Sequence, residues 1–161
     1  MVEIRTATAE DRPFLEQMLA VAADWRSDTA ATRVLSLLAD PTVARYLEAW
    51  PGNRDYGLIA RDSLPVGAAW WRFFVESEPG YGFVDASIPE LTVGVIADRR
   101  GGGIGSLLLR ALLAEARTRQ LRGVSLSVAT ENPAVRLYER LGFRRLGEEG
   151  GSVTMLATVN D

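Results

Sequence analysis

Histidine and cysteine are absent from the 161 residues. Lysine is absent too, so all 18 basic residues are arginine. Each absence removes chemistry. Without histidine no Ser-His-Asp triad can be assembled, and without cysteine there is neither a thiolate nucleophile nor a disulfide framework. Without lysine there is no Schiff-base amine and no Walker-type phosphate loop. A zinc site would have to rely on carboxylates alone, an unusual donor set, so no metal is expected. Acid–base work falls to Asp, Glu and Tyr, supported by backbone dipoles and arginine. Long apolar runs are also missing, and the opening MVEIRTATAEDRPF is charged within a few residues. No membrane span and no leader peptide are expected, and a soluble cytoplasmic protein is the natural reading. The net charge of −3 lacks the basic excess of a nucleic-acid binder, so no nucleic-acid partner is expected.

What is present suits one core. Apolar residues make up 47% of the chain, enough to build a single domain over residues 1–161 without staples. Glu3 to Ala7 reads as a short strand. Thr8-Ala9-Glu10-Asp11 reads as a helix start, with acidic residues where the helix dipole favours them. A helix follows to about Asp24, carrying Phe14, Leu15, Met18, Leu19 and Ala22 on one side. A second helical region spans about Ala30 to Leu47 and is interrupted at Asp40-Pro41. Strands are expected at Tyr56–Ala60 and Pro65–Val75, then a loop over Glu76–Ile88, then an apolar strand over Leu91–Ile96. A strong helix begins after a glycine-dense stretch. The alternation of Val124, Leu126 and Val128 marks a strand, and a helix opens at Asn132-Pro133 and stops at Leu141-Gly142. Ser152–Val159 is the final strand. The order predicts a mixed α/β fold with crossover units in its second half.

The segment VGVIADRRGGGIGSLLLRALL joins a buried strand to a long helix through four glycines. A helix N-terminus presents unpaired N–H groups and the positive end of a dipole. Glycines let a phosphate approach those amides, which makes an anion site that needs no lysine. Arg99 and Arg100 add charge nearby. The plainer alternative is a flexible turn. The dinucleotide fingerprint fits poorly: counting from Gly101 its third glycine is Ser106, and counting from Gly103 it is Leu108.

Val95-x-x-x-x-Arg100-Gly101-x-Gly103-Ile104-Gly105 resembles the acetyl-coenzyme A signature of the GNAT superfamily of N-acetyltransferases. Downstream, Asn132-Pro-Ala-Val-Arg-Leu-Tyr138-Glu-Arg-Leu-Gly142-Phe143 resembles that family's second signature, one helix and one strand later. Ala97 stands where the family often has proline, and Gly102 where it often has a basic residue. The resemblance implies a central, mostly antiparallel mixed sheet of about six to seven strands flanked by about four helices. It implies acetyl-CoA as cosubstrate. Backbone groups near Val93 and Val95 on a splayed strand would pair with the pantetheine arm, and the Val95 amide would polarise the thioester carbonyl. The amides of Arg100, Gly101, Gly102, Gly103, Ile104, Gly105 and Ser106 would hold the pyrophosphate. Asn132 would contact the coenzyme arm. Tyr138 would protonate the departing thiolate. Relatives of this kind are often homodimers.

The implied chemistry suits the restricted residue set. An amine of a small molecule or peptide attacks the thioester directly, in a ternary complex, so no protein nucleophile is needed. Glu90 opens the central strand, and alternation places Glu90, Thr92 and Gly94 on one face. Glu90 is the candidate base, acting directly or through water; the alternative is a solvated carboxylate at a strand end. Tyr138 likewise has a second reading, as a core ring on its helix. Glu76, Glu78, Asp85, Tyr81 and Phe83 are candidates to border an amine site. One of Trp70 and Trp71 is expected in the core and the other towards the acceptor, with Trp25 and Arg26 as weaker candidates for the acceptor wall. A competing reading is a non-catalytic acyl-CoA-binding sensor or regulatory module.

Overall fold

The computed structural model describes residues 1–160. The strands are β1 (Glu3–Thr6), β2 (Tyr56–Asp62), β3 (Leu64–Arg72), β4 (Glu90–Val95), β5 (Gly123–Ala129), β6 (Arg144–Glu149) and β7 (Ser152–Thr158). The helices are α1 (Arg12–Ala23), α2 (Val34–Leu38), α3 (Pro41–Ala44), α4 (Ile104–Thr118) and α5 (Ala134–Arg140), with short 3-10 turns between some of them. The strands hydrogen-bond in the order β1-β2-β3-β4-β5-β7-β6. The β4–β5 pair is parallel, and the pairs β1–β2, β2–β3, β5–β7 and β6–β7 are antiparallel. The mixed sheet expected from the sequence is therefore present. Its helices number five among the described residues, because the interrupted second helical region resolves into the short α2 and α3. Asp40 accounts for that break: its side chain accepts the Thr42 N–H at 2.9 Å, and Pro41 restarts the helix where no N–H is needed.

The chain forms two compact units, and both β4 and α4 pass from one to the other. The first comprises residues 1–71 and 92–112. Its α1 begins with Pro13 in the first turn and buries Leu15, Met18 and Leu19. Arg5 clamps Asp11 through two bonds of 2.8 Å, and Asp11 also accepts the Thr8 N–H at 2.7 Å. The entry to the helix is thereby fixed, and the Asp11 carboxyl is held below its ordinary range, chiefly by Arg5. At Gly94 a Cβ would lie 2.7 Å from the Met18 carbonyl oxygen, so α1 packs on β4 through a position that tolerates no side chain.

Trp70 and Trp71 do leave opposite faces of β3, yet both are fully buried. Neither is left to line an acceptor site, contrary to expectation. Each indole N–H is satisfied by a main-chain carbonyl, Trp70 by Tyr46 and Trp71 by Arg54, both at 3.1 Å. Both faces of the strand are buried from Val66 to Trp71, and paired indole donors make full burial tolerable.

The second unit comprises residues 72–91 and 113–161, of which the first 160 residues of the chain are described. In it β5 pairs with β7 along its whole length, from Gly123↔Thr158 to Ala129↔Ser152. β5 buries Val124, Leu126 and Val128, as their alternation predicts. β6 is the strand that the pattern hides. RRLGEE is exposed at every residue, so no apolar face announces it.

Candidate active site

The glycine loop belongs to the first unit. Ile96 ends β4 by donating its N–H to the Val66 carbonyl, and a 3-10 turn at Ala97–Arg99 leads into the glycines. Gly101 and Gly103 have φ of +78° and +83°, a region L side chains avoid. A Cβ at either would meet nothing within 4 Å, so backbone conformation, not crowding, requires glycine here. The space over these two residues is open to a ligand. The first helical bond of α4 runs from the Leu107 N–H to the Gly103 carbonyl, so the amides of Ile104, Gly105 and Ser106 precede the helical ladder. Ile104 itself is buried and anchors the turn, while Gly101, Gly102 and Gly103 are exposed.

Both loop arginines have carboxylate partners that sequence reading did not find. Arg99 pairs with Asp62 at 3.1 Å, and Arg100 meets Asp28 at 3.4 Å. Asp28 is 84% exposed, so its pairing is weak and easily exchanged. No local pattern links positions 28 and 100; only the fold joins them.

Val93 and Val95 are half-buried, whereas Glu90, Thr92 and Gly94 are buried, and Leu91 is buried as well.

Asn132, Tyr138 and Glu90 belong to the second unit. The Asn132 side-chain oxygen accepts the Ala134 N–H at 2.9 Å and starts α5, which leaves its two amide hydrogens for another acceptor. α5 ends in a Schellman turn: Gly142 N–H donates to Glu139 and Phe143 N–H to Tyr138, with Gly142 at φ +101°. Phe143 is folded back so that its ring meets Tyr138 edge-on at 5.8 Å. Tyr138 is 7% exposed, and burial pushes its phenol up to about 12. It remains protonated throughout the neutral range.

Glu90 is not a solvated strand end. It is 3% exposed, and its Oε1 accepts the Gly82 N–H at 3.0 Å. In the sequence Gly82 marks the 76–88 segment as a loop, together with Pro79-Gly80, and gives no sign of this bond. Of the acidic loop residues, Asp85 is occupied in a turn, accepting both the N–H and the hydroxyl of Ser87. Those bonds hold its carboxyl below the ordinary value. Arg26 stacks on Trp25 at 4.7 Å.

A glycine turn thus follows the central strand β4 and opens α4, and Tyr138 stands on α5. The model of the Acetyltransferase (GNAT) family matches residues 3–143, and the chain belongs to that family. It is 39% identical over 103 residues to a mycothiol acetyltransferase of Thermobispora bispora, covering 63% of this chain and 34% of that protein. A mycothiol acetyltransferase of Cellulomonas flavigena is 36% identical over 104 residues, covering 63% of this chain and 30% of its own. The chain thus aligns with about a third of the length of these relatives. Among solved structures, the ribosomal-protein-alanine N-acetyltransferase of Brucella melitensis superposes with a TM-score of 0.69 at 27% identity, covering 97% of this chain and 99% of that one. The PaiA N-acetyltransferase of Thermoplasma acidophilum, solved in complex with coenzyme A, has a TM-score of 0.67 at 16% identity, covering 98% and 99%. That second likeness concerns the fold.

Proposed function

We propose that this protein transfers the acetyl group of acetyl-CoA to a primary amine of a small molecule or peptide. The observation that carries the reading is the loop of Gly101 and Gly103, whose positive φ values turn exposed backbone towards a helix start with open space above it. Diphosphate is the anion such a turn suits, and family membership supplies the coenzyme that carries it. Arg100 exchanges Asp28 for phosphate when the coenzyme arrives. The pantetheine arm pairs with the backbone at Val93 and Val95, and Asn132 offers its remaining amide hydrogens to the arm.

In the reaction the amine, having given up a proton to Glu90 or to water, attacks the thioester carbonyl carbon. A C–N bond forms and the carbonyl oxygen takes the charge, facing the Val95 amide. The C–S bond then breaks, and Tyr138 donates its phenolic proton to the leaving thiolate. The nitrogen of the collapsing intermediate releases a proton, which restores the phenol. With its phenol raised to about 12, Tyr138 is a weak acid towards an ordinary thiol near 8.5. It therefore acts as a hydrogen-bond donor that shares its proton late, as charge builds on sulfur.

The test is release of CoA thiol with acetyl-CoA and a panel of amines: spermidine, kanamycin, an alanyl peptide, a lysyl peptide and mycothiol lacking its acetyl group. The last is included because of the relatives' name. Acetyl-CoA-dependent thiol release with at least one amine supports the reading. Coenzyme binding with no transfer to any amine would favour an acyl-CoA sensor.

A further inference from the structure

Residues 73–89 connect β3 to β4 and hold no helix and no named strand. Isolated bridges at Val75↔Glu78 and Asp85↔Ile88 close a local turn near each end. Its middle is tied differently. The Gly82 N–H reaches inward to the buried Glu90 carboxylate at 3.0 Å. A Cβ on Gly82 would stand 2.5 Å from the carbonyl carbon of Leu126, 2.7 Å from its oxygen and 2.8 Å from the Ser127 nitrogen. These are backbone atoms of β5 and cannot move aside as a side chain would. Glu90 in turn is held to β5 by register: it lies opposite Ser125, whose N–H donates to the Pro89 carbonyl at 2.9 Å. The loop backbone is thus pressed flat on β5 at one glycine and fastened there by one carboxylate. On either side of that point stand Phe83 and Tyr81, the latter 61% exposed.

We propose that Glu90 is a positioning residue for the amine acceptor: through the Gly82 amide it fixes the 80–83 turn, and with it the aromatic side chains that receive the substrate. This rests on the acetyltransferase reading above and adds to it a role separable from proton acceptance. A buried carboxylate requires donors, and a charge-assisted bond to a main-chain amide is among the strongest available. A loop of this length with an untethered middle would otherwise spread over many conformations, and binding would have to bear the ordering entropy.

Three variants separate the roles. Glu90→Gln keeps an oxygen that accepts the Gly82 N–H but cannot take a proton at neutral pH. Glu90→Met fills the space and accepts nothing. Gly82→Ala keeps the carboxylate and forces the loop off β5. For whichever panel amine turns over, Glu90→Met and Gly82→Ala raise its KM about fivefold or more, the equivalent of one lost hydrogen bond. Glu90→Gln keeps KM within about twofold of the parent, although kcat falls if the carboxylate is also the base. CoA affinity, read by calorimetry, stays within about twofold in all three. Amide exchange of Gly82 needs no substrate: it is slow in the parent and Glu90→Gln, and fast in Glu90→Met. An unchanged acceptor KM in Glu90→Met, a KM in Glu90→Gln as high as in Glu90→Met, or a Gly82 amide equally protected in all of them would overturn the proposal. If the parent protein acetylates no amine, the transferase reading fails on its own account, and the exchange experiment still decides whether Glu90 anchors the turn.

Discussion

The Phe143 N–H donates to the Tyr138 carbonyl at 3.0 Å, and the same two residues meet again through their rings at 5.8 Å. A helix-ending turn and an aromatic contact therefore fix one side chain twice. The tyrosine assigned to proton donation is held by the stop signal of its own helix.

Removing only the phenolic oxygen tests that assignment. Tyr138→Phe retains the ring contact and should lower kcat by roughly 10²-fold, in the range of lost general-acid catalysis. CoA affinity should change little. Steady-state kinetics beside CoA titration decides it; an unaltered kcat would remove Tyr138 from the mechanism.

Tyr138 also makes folding stability depend on alkali. Its phenol titrates at about 12 when folded, against about 10 when exposed. The unfolded chain loses this proton first, so the contribution is complete below pH 10 and disappears as pH rises towards 12. Urea unfolding at pH 9 and pH 11 should show a fall in stability that is smaller in Tyr138→Phe. Equal falls in the two proteins would mean the ring is more hydrated than its burial indicates.

Gly103→Val should abolish coenzyme binding with modest effect on the free protein. The new side chain faces open space, so the cost in the folded state is that of a positive φ, about 1–2 kcal/mol. The parent should gain thermal stability on adding CoA, and the variant should not. A full CoA-induced rise in the variant would place the diphosphate elsewhere.

Asp28→Asn should tighten CoA binding, because Arg100 would no longer be drawn to a carboxylate before meeting phosphate. The pair is exposed, so the gain is at most about fivefold and should shrink in high salt. Calorimetry at two ionic strengths measures both. Weaker binding by the variant would show that Asp28 assists the coenzyme instead.

Much of this is legible in the sequence. The glycine spacing from Arg100 to Gly105 and the Asn132–Phe143 segment announce local geometry, since positive φ and a helix stop are written in single residues. The alternation on β5 is equally local. What stayed hidden is non-local. Asp62 and Asp28 reach the loop arginines only through the fold. Gly82 matters because of the backbone beneath it, 44 positions on at Leu126. β6 carries charge on both faces and gives no periodic signal. The pair Trp70-Trp71 suggested one wet face, but burial depends on what covers a strand, which a strand's own sequence does not state.

With no histidine, cysteine or lysine among the 161 residues, the chain lacks the side chains whose ordinary ionisation supplies most enzyme acid–base chemistry near neutrality. A bend in a rate profile in that range would have very few owners. The incoming amine would be the first owner to test, by replacing it with another of different basicity.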